Sequence, residues 1–129
     1  MNLRRARIAA IGWGIFLLAL TSWPSPPEVP AVSWIPDFDK LVHLSLYGVE
    51  GFLLYRAVAW PGAARFSWLR VLAIAGLLAV LGTIDEIHQY WIPGRSMEGF
   101  DALADTSGGF VGALVASALD GRARAKATS

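Results

Sequence analysis

The sequence predicts an all-α membrane protein: a bundle of four transmembrane helices with both termini in the cytoplasm. Hydrophobic residues make up 55% of the 129 residues and charged residues only 16%, so the chain is more apolar than an ordinary soluble domain. The apolar residues fall into four stretches, and the basic residues gather near alternate ends of these stretches. Four spans would use nearly the whole chain, so residues 1–129 are expected to form a single domain.

The first apolar stretch covers residues 8–23 and follows Arg4, Arg5 and Arg7. A basic start before an apolar core also fits a secretory signal, but no Ala-x-Ala cleavage site follows, so an uncleaved anchor is expected. The next run, residues 21–40, holds five of the seven prolines and should be extended. It is expected to serve either as a spacer or as a lid over the polar pocket that the helices are predicted to form.

The other three apolar stretches cover residues 41–60, 68–88 and 103–119. The second stops at a Pro-Gly pair, and the third continues into a polar segment that begins at Asp85. Spanning a bilayer takes about 20 residues, and the first and fourth stretches are near the short end of that range. Because a helix that ended inside the lipid would leave backbone groups unpaired, all four stretches are predicted to cross.

The basic residues set the predicted orientation. Nine of the eleven fall on one side of the four-helix arrangement: Arg4, Arg5, Arg7, Arg56, Arg65, Arg70, Arg122, Arg124 and Lys126. The positive-inside rule makes that side cytoplasmic. Lys40 and Arg95 are the exceptions, and both lie among acidic residues on the opposite, extracytoplasmic side.

Three of the predicted helices carry a polar face at their outer ends, because the polar positions are spaced three or four residues apart. These positions are Asp39, His43 and Tyr47 on the second helix, with Glu50 near their continuation, Asp85, His88 and Gln89 on the third, and Asp101 and Asp105 on the fourth. Ionisable groups cost ~2.5–3.5 kcal/mol each at the centre of a membrane helix, so they are expected to face one another or a wet cavity. The sequence therefore predicts one shared polar pocket that opens outward, with Glu50 paired inside the bundle.

Several kinds of chemistry fit such a pocket. Carboxylates beside histidines are the ingredients of general acid and base catalysis, which makes Asp39, His43, Asp85, Glu86 and His88 the candidate catalytic residues. Candidate substrate-binding residues are Lys40, Tyr47, Gln89, Arg95, Asp101 and Asp105. The two basic members of that set could hold the phosphate or carboxylate of a lipid headgroup or of an anionic lipid-linked intermediate.

Two other interpretations of the same residues stay open. Histidines with carboxylates could hold a divalent cation, although the H-E-x-x-H pattern of zinc peptidases is absent and no metal ligand is assigned. The polar groups could also form a network that only fixes helix packing. Catalysis is therefore left undecided. Nucleic acid is excluded as a partner, because the net charge is only +1.

Three local patterns predict structure rather than chemistry. Pro93 and Gly94 suit the middle of a type II turn. Gly108, Gly112 and Ala116 recur at four-residue intervals and predict a line of close helix packing. Residues 120–129 are expected to form a disordered cytoplasmic tail.

Two segments together resemble the VanZ-like family of small bacterial membrane proteins. They are "DKLVHLSLY" and, after an apolar span, "DEIHQYWIPGRSMEGFDALADTSGGFVG", so the resemblance covers residues 39–112. It assigns as signature positions Asp39, Lys40, His43, Tyr47, Asp85, Glu86, His88, Gln89, Pro93, Gly94, Arg95, Asp101, Asp105 and Gly108. At position 105 the family more often has Asn, and the first helix and its proline-rich loop match nothing in particular.

What the resemblance implies is a multi-pass protein of the bacterial inner or plasma membrane with a link to glycopeptide antibiotics, since the family's namesake raises tolerance to teicoplanin. Two classes of function remain open. One is an enzyme or binding protein for an envelope lipid or a lipid-linked cell-wall intermediate. The other is a non-catalytic membrane module, either an accessory or an ion-coupled carrier; a carrier with four helices and no inverted repeat would need to form oligomers.

Overall fold

The computed structural model describes residues 1–24, 36–58 and 66–127. In these ranges the chain forms four helices and no strand: α1 (Leu3–Thr21), α2 (Phe38–Ala57), α3 (Trp68–Gln89) and α4 (Gly99–Ala127). The all-helical prediction is confirmed, and each helix overlaps one of the four apolar stretches. Residues 25–35, which make up most of the proline-rich run, lie outside the described residues. The predicted spacer or lid therefore lies outside them as well.

Two helices extend beyond the apolar stretches that predict them. Asn2 caps α1, because its side-chain oxygen accepts a hydrogen bond from the backbone N–H of Arg5 at 2.9 Å. The helix therefore includes the basic start of the chain. At the other end, α4 continues to Ala127, so the expectation of a disordered tail from residue 120 is wrong up to that point. The sequence there alternates alanine with arginine and lysine, which are strong helix formers.

Helices α2 and α4 pack against each other along glycines. A Cβ atom on Gly108 would collide with the backbone oxygen of Leu44, and one on Gly112 would collide with that of Gly48. The predicted line of close packing at Gly108 and Gly112 is confirmed. Both contacts advance by four residues in the same direction, so the two helices run parallel. Their backbones approach this closely only because these positions lack side chains.

The remaining helices complete the bundle around this pair. Helix α3 packs on α4, where Leu78 lies against Gly109, and α1 packs on α2 through Ala6, Ala10 and Ala57. Helices α1 and α3 make few contacts with each other. They are therefore separated by a crevice whose floor is α2.

Within the described ranges, two helices are long and apolar enough to cross a membrane, namely Trp68–Gln89 and Gly99–Arg122. Helix α1 begins with three arginines, and α2 carries charged residues at Asp39, Lys40, Glu50 and Arg56. These charges lower the hydropathy of α1 and α2. The two candidate spans indicate a membrane protein. Length and apolar composition support a membrane span for α3 and α4, but not for α1 and α2.

Candidate functional site

The polar faces of α2, α3 and α4 meet at one end of the bundle, together with the last turn of α1. The side chains there form three contiguous groups. We call them the rim cluster (Asp39, Lys40, Glu98 and Asp101), the inner cluster (His43, Glu86 and Asp105) and the α1-side cluster (Thr21, Ser22, Tyr47, Asp85 and His88). The polar faces of the three helices meet at this end, as predicted. Their side chains are divided among the three clusters.

The rim cluster is organised around one ammonium group. Nζ of Lys40 lies 2.6 Å from Oδ2 of Asp39, 2.9 Å from Oε2 of Glu98 and 2.9 Å from Oδ1 of Asp101. The hydrogen bond from Lys40 lowers the pKa of the Asp39 carboxyl, and the bond to Asp39 in turn raises the pKa of the Lys40 ammonium well above its usual range. Lys40 is therefore charged and already surrounded by carboxylates of its own chain, which leaves it little capacity for an external anion.

The inner cluster is built on the contact between α2 and α4. Nδ1 of His43 lies 2.9 Å from Oδ1 of Asp105, and Nε2 of the same ring lies 3.8 Å from Oδ2 of Asp101. Asp105 is completely buried, and its second oxygen, Oδ2, has no hydrogen-bond partner among the described residues. Gly82 of α3 makes room for it, because a Cβ atom at that position would lie 3.0 Å from Oδ2 of Asp105.

Glu86 completes the inner cluster from α3 and is 2% exposed. Its Oε2 accepts a hydrogen bond of 2.8 Å from the backbone N–H of Glu98, and its Oε1 accepts one of 3.3 Å from Nε2 of Gln89. Both carboxylate oxygens are therefore held in place by the segment that joins α3 to α4 and by the last turn of α3.

The α1-side cluster is centred on Asp85. Its Oδ1 accepts a hydrogen bond of 2.8 Å from the hydroxyl of Thr21, and its Oδ2 accepts bonds of 3.3 Å from both Tyr47 and Gln89. Beside it, Nε2 of His88 lies 3.0 Å from Oγ of Ser22. Asp85 thus ties α3 to α1 and α2, and the two histidines of the chain belong to different clusters.

Arg95 lies apart from all three clusters. Its Nε donates to the backbone oxygen of Trp23 at 3.2 Å, and its Nη2 donates to that of Leu20 at 2.8 Å. The predicted type II turn places it there: Gly94 has φ 77°, and the N–H of Arg95 bonds to the oxygen of Ile92 at 3.1 Å. The guanidinium group thus lies at the carbonyl end of α1, where a positive charge is favourable.

The crevice between α1 and α3 leads into the α1-side cluster. It has a volume of about 340 Å³, and its walls are formed by Gly14, Leu17 and Leu18 of α1, Tyr47 and Glu50 of α2, and Leu78, Leu81, Ile84, Asp85 and His88 of α3. Leu18, Leu81 and Ile84 are exposed at its mouth. The walls are thus largely apolar, and the crevice opens on the outer surface of the bundle.

Glu50 lies in this crevice, deeper along α2 than the clusters. It is 6% exposed, and its Oε2 has no hydrogen-bond partner in the part of the chain that the structure describes. Its other oxygen approaches Gly14 of α1. The prediction that Glu50 pairs inside the bundle is therefore not supported by any contact in the described ranges.

The structure also assigns contacts to residues that the sequence does not single out. Thr21 and Ser22 bring α1 into the site, and Glu98 supplies both a carboxylate to the rim cluster and a backbone donor to Glu86. The Thr-Ser pair at the end of an apolar stretch is a signal that could have indicated α1. Glu98 lies directly before α4, in a segment without helical periodicity, so only the fold shows where its side chain points.

A family model described as VanZ/LLP1 matches residues 13–120. The match includes α1 from Trp13 to its end at Thr21 and every member of the three clusters, so the expectation that the first helix matches nothing in particular is wrong for that part of the helix. No curated protein and no solved structure matches the chain.

Proposed function

The chain belongs to the VanZ/LLP1 family, and on this premise we propose that it is a multi-pass protein of the bacterial cell membrane that binds an envelope lipid. The lipid is either a phospholipid or a lipid-linked cell-wall intermediate. Its polar end would meet the α1-side cluster, and its hydrocarbon chain would enter the crevice between α1 and α3. Through this binding the protein would raise tolerance to glycopeptide antibiotics such as teicoplanin.

The outward faces of the bundle support four membrane spans. Large apolar side chains are exposed on all four helices, for example Ile11 and Ile15 on α1, Leu41 and Val49 on α2, Leu72 and Val80 on α3, and Val111 and Val115 on α4. The buried set, by contrast, includes Glu50, Asp85, Glu86, Asp101 and Asp105. Apolar side chains outside and ionisable ones inside are what lipid surroundings favour. This pattern extends to α1 and α2, whose charged residues lower their mean hydropathy.

The two ends of the bundle support the proposed orientation. At the end opposite the clusters, Arg7 donates from Nε to the backbone oxygen of Ala57 at 3.2 Å, and Arg56 pairs with Asp120 at 2.8 Å. Basic residues therefore dominate that end, and acidic residues dominate the end that holds the clusters. The positive-inside rule then puts both termini in the cytoplasm and the clusters at the outer leaflet.

One observation carries the lipid proposal: the crevice joins an apolar opening on the side of the bundle to a polar end. Leu18, Leu81 and Ile84 would face the lipid acyl region, so a hydrocarbon chain could enter sideways without crossing water. His88 and Asp85 lie at the polar end, and they can donate hydrogen bonds to a headgroup and accept hydrogen bonds from it. Such a site suits an amphiphile better than a water-soluble ligand, because its apolar walls match a hydrocarbon chain and its polar end matches a headgroup.

A tryptophan that fills the crevice tests this proposal. Leu18→Trp adds bulk at the mouth, whereas Ile15→Trp adds the same bulk on the exposed face of α1 outside the crevice. Native mass spectrometry of the purified protein with polyprenyl phosphate or phosphatidylglycerol should show bound lipid for the unaltered protein and for Ile15→Trp, and much less for Leu18→Trp. Equal lipid retention by both variants would contradict the proposal. Comparison of the two lipids shows whether the crevice prefers the carrier of a lipid-linked cell-wall intermediate or a phospholipid.

A specific observation favours a second candidate, a non-catalytic accessory module. Lys40 is occupied by three carboxylates and Arg95 by two backbone oxygens, so the two cations predicted to bind an anionic substrate are engaged within the fold. An accessory of this kind would act through its surface or through oligomers. Variants in the crevice would then leave its effect on the envelope unchanged.

A further inference from the structure

Two groups of side chains at the cluster end of the bundle could each place three ligand atoms around a cation. In each group these atoms lie within 4.8 Å of one another. The first group is Asp39, Glu98 and Asp101, and it already surrounds the ammonium of Lys40. The second is the inner cluster, for which His43 is the one basic partner among the described residues.

We propose that the inner cluster binds a divalent transition-metal ion, Zn²⁺ or Mn²⁺, with His43, Glu86 and Asp105 as its ligands. This site is independent of the lipid proposal, since none of its three ligands lines the crevice. Each ligand comes from a different helix: His43 from α2, Glu86 from α3 and Asp105 from α4. A bound ion would therefore cross-link three helices at the outer end of the bundle.

The charge balance of the inner cluster is the first argument. Glu86 and Asp105 are 2% and 0% exposed, and together they carry two negative charges when ionised. Protonation of His43 would offset one of these charges, whereas the rim cluster has a lysine for the same purpose. A divalent ion would offset both charges and leave the histidine neutral, which is the form that binds metals.

The free oxygen of Asp105 is the second argument. Oδ2 is fully buried in the cluster without a hydrogen-bond partner in the described residues. An unpaired buried oxygen of a carboxylate is costly, and a metal bond is one of the few ways to satisfy it without water. Gly82 keeps the space beside this oxygen open, because any larger residue would displace the carboxylate.

The hydrogen bonds that hold Glu86 form the third argument. Metal-binding carboxylates are themselves usually held by hydrogen bonds from a second layer of groups. Glu86 has such bonds from the backbone of Glu98 and from Gln89. The bundle would therefore present ligands that are already oriented, at little cost in side-chain entropy.

The ligand set also indicates which ions fit. Imidazole nitrogen suits Zn²⁺, and carboxylate oxygen suits Mn²⁺, whereas Ca²⁺ and Mg²⁺ prefer oxygen ligands alone. One histidine with two carboxylates therefore favours Zn²⁺ or Mn²⁺ over Ca²⁺ and Mg²⁺.

The experiment uses the full-length, tag-free protein in detergent after treatment with a chelator. Titration with Zn²⁺, Mn²⁺, Mg²⁺ and Ca²⁺ is followed by calorimetry, by metal analysis after gel filtration and by the melting temperature. We expect one equivalent of Zn²⁺ or Mn²⁺ to bind and to raise the melting temperature, because a ligand that binds only the folded state stabilises it. Absence of stoichiometric binding by both ions, or equal binding of Mg²⁺, would overturn the proposal.

Matched variants locate the ion. His43→Gln, Glu86→Gln and Asp105→Asn should each weaken binding by more than about 100-fold, beyond the losses known for outer-layer partners. His88→Gln and Glu50→Gln remove the same side-chain types elsewhere in the bundle and should leave metal affinity unchanged. Gly82→Ala removes no ligand but displaces Asp105, so it should also weaken binding.

The opposite pattern would contradict the assignment. Full metal affinity in all three ligand variants, or loss of binding in the His88→Gln control, would show that the ion is held elsewhere. Gel filtration and the melting temperature in the presence of chelator check that each variant is folded before its affinity is compared.

Discussion

His43 of α2 and Asp105 of α4 form an ionisable contact between two helices at the cluster end, with Nδ1 and Oδ1 2.9 Å apart. The contact lies one turn from Gly108, where the backbones of the same two helices come together. Close packing thus holds the helices in a fixed parallel register, and that register determines which histidine meets which acid. The glycines and the polar pair act as one structural unit.

Double-mutant cycles should reveal this pairing. For His43→Gln combined with Asp105→Asn, we expect a coupling energy of roughly 0.5–3 kcal/mol in the free energy of unfolding, measured with chelator present. Asp39 and His88 belong to different clusters and share no partner. Their variants should therefore be additive to within about 0.5 kcal/mol. Additivity of the first pair would contradict the contact seen in the structure.

Alanine substitutions at glycines test the close packing of α2 and α4. Gly112→Ala would push a methyl group against the backbone oxygen of Gly48 and should destabilise the bundle by roughly 1–3 kcal/mol. Gly12→Ala is the control, because nothing lies within 4 Å of the added atom. There the change should be neutral or stabilise by up to about 1 kcal/mol, since alanine favours the helix. Equal effects on unfolding in a detergent titration would argue against the parallel pair.

Helix number and the meeting of polar faces could be predicted from the sequence, because both follow from the spacing of apolar and polar residues along each helix. The line through Gly108 and Gly112 was also readable, since small residues at four-residue intervals favour close approach. The helix that these glycines contact could not be predicted, because periodicity on one helix carries no information about its partner. For the same reason the two histidines were expected in one pocket, although His43 contacts α4 and His88 contacts α1.

The contacts of Arg95 could not be predicted from the sequence. A lone arginine among acids predicts an anion site, yet its donors reach backbone oxygens about 70 residues earlier in the chain, at Trp23 and Leu20. Backbone oxygens occur at the end of every helix, so no residue type in the sequence marks the ones that Arg95 contacts. The turn that places Arg95 there was predicted, because Pro93 and Gly94 have conformational preferences of their own.

Cysteine labelling tests the orientation. The chain has no cysteine, so single substitutions give no background. In intact cells an impermeant maleimide should label Ser96→Cys, and it should label Ser67→Cys only after the membrane is permeabilised, because nine of the eleven basic residues lie on the side of Ser67. Labelling of Ser67→Cys but not of Ser96→Cys in intact cells would reverse the proposed topology.

Expression in a glycopeptide-susceptible Gram-positive host tests the link to antibiotics. We expect the protein to raise tolerance to teicoplanin, which carries a lipid tail, more than tolerance to vancomycin. His88→Ala should abolish the effect, because it removes a polar group at the end of the crevice, whereas Thr83→Ala on the exposed face of α3 should keep it. Membrane abundance and melting temperature must match between the variants. Full tolerance in a well-folded His88→Ala protein would assign the effect to the accessory-module alternative.

Photo-crosslinking of a lipid in the crevice tests the central claim most directly. Polyprenyl phosphate with a diazirine in its chain is incorporated into vesicles with the protein, and adducts are mapped by mass spectrometry. We predict adducts concentrated at Leu18, Leu81 and Ile84 in the crevice and reduced by excess unmodified lipid. Adducts at Ile15 and Ile87, which are exposed outside it, should be fewer and unaffected by competition. Adducts spread evenly over both sets, with no competition at either, would contradict lipid binding in the crevice.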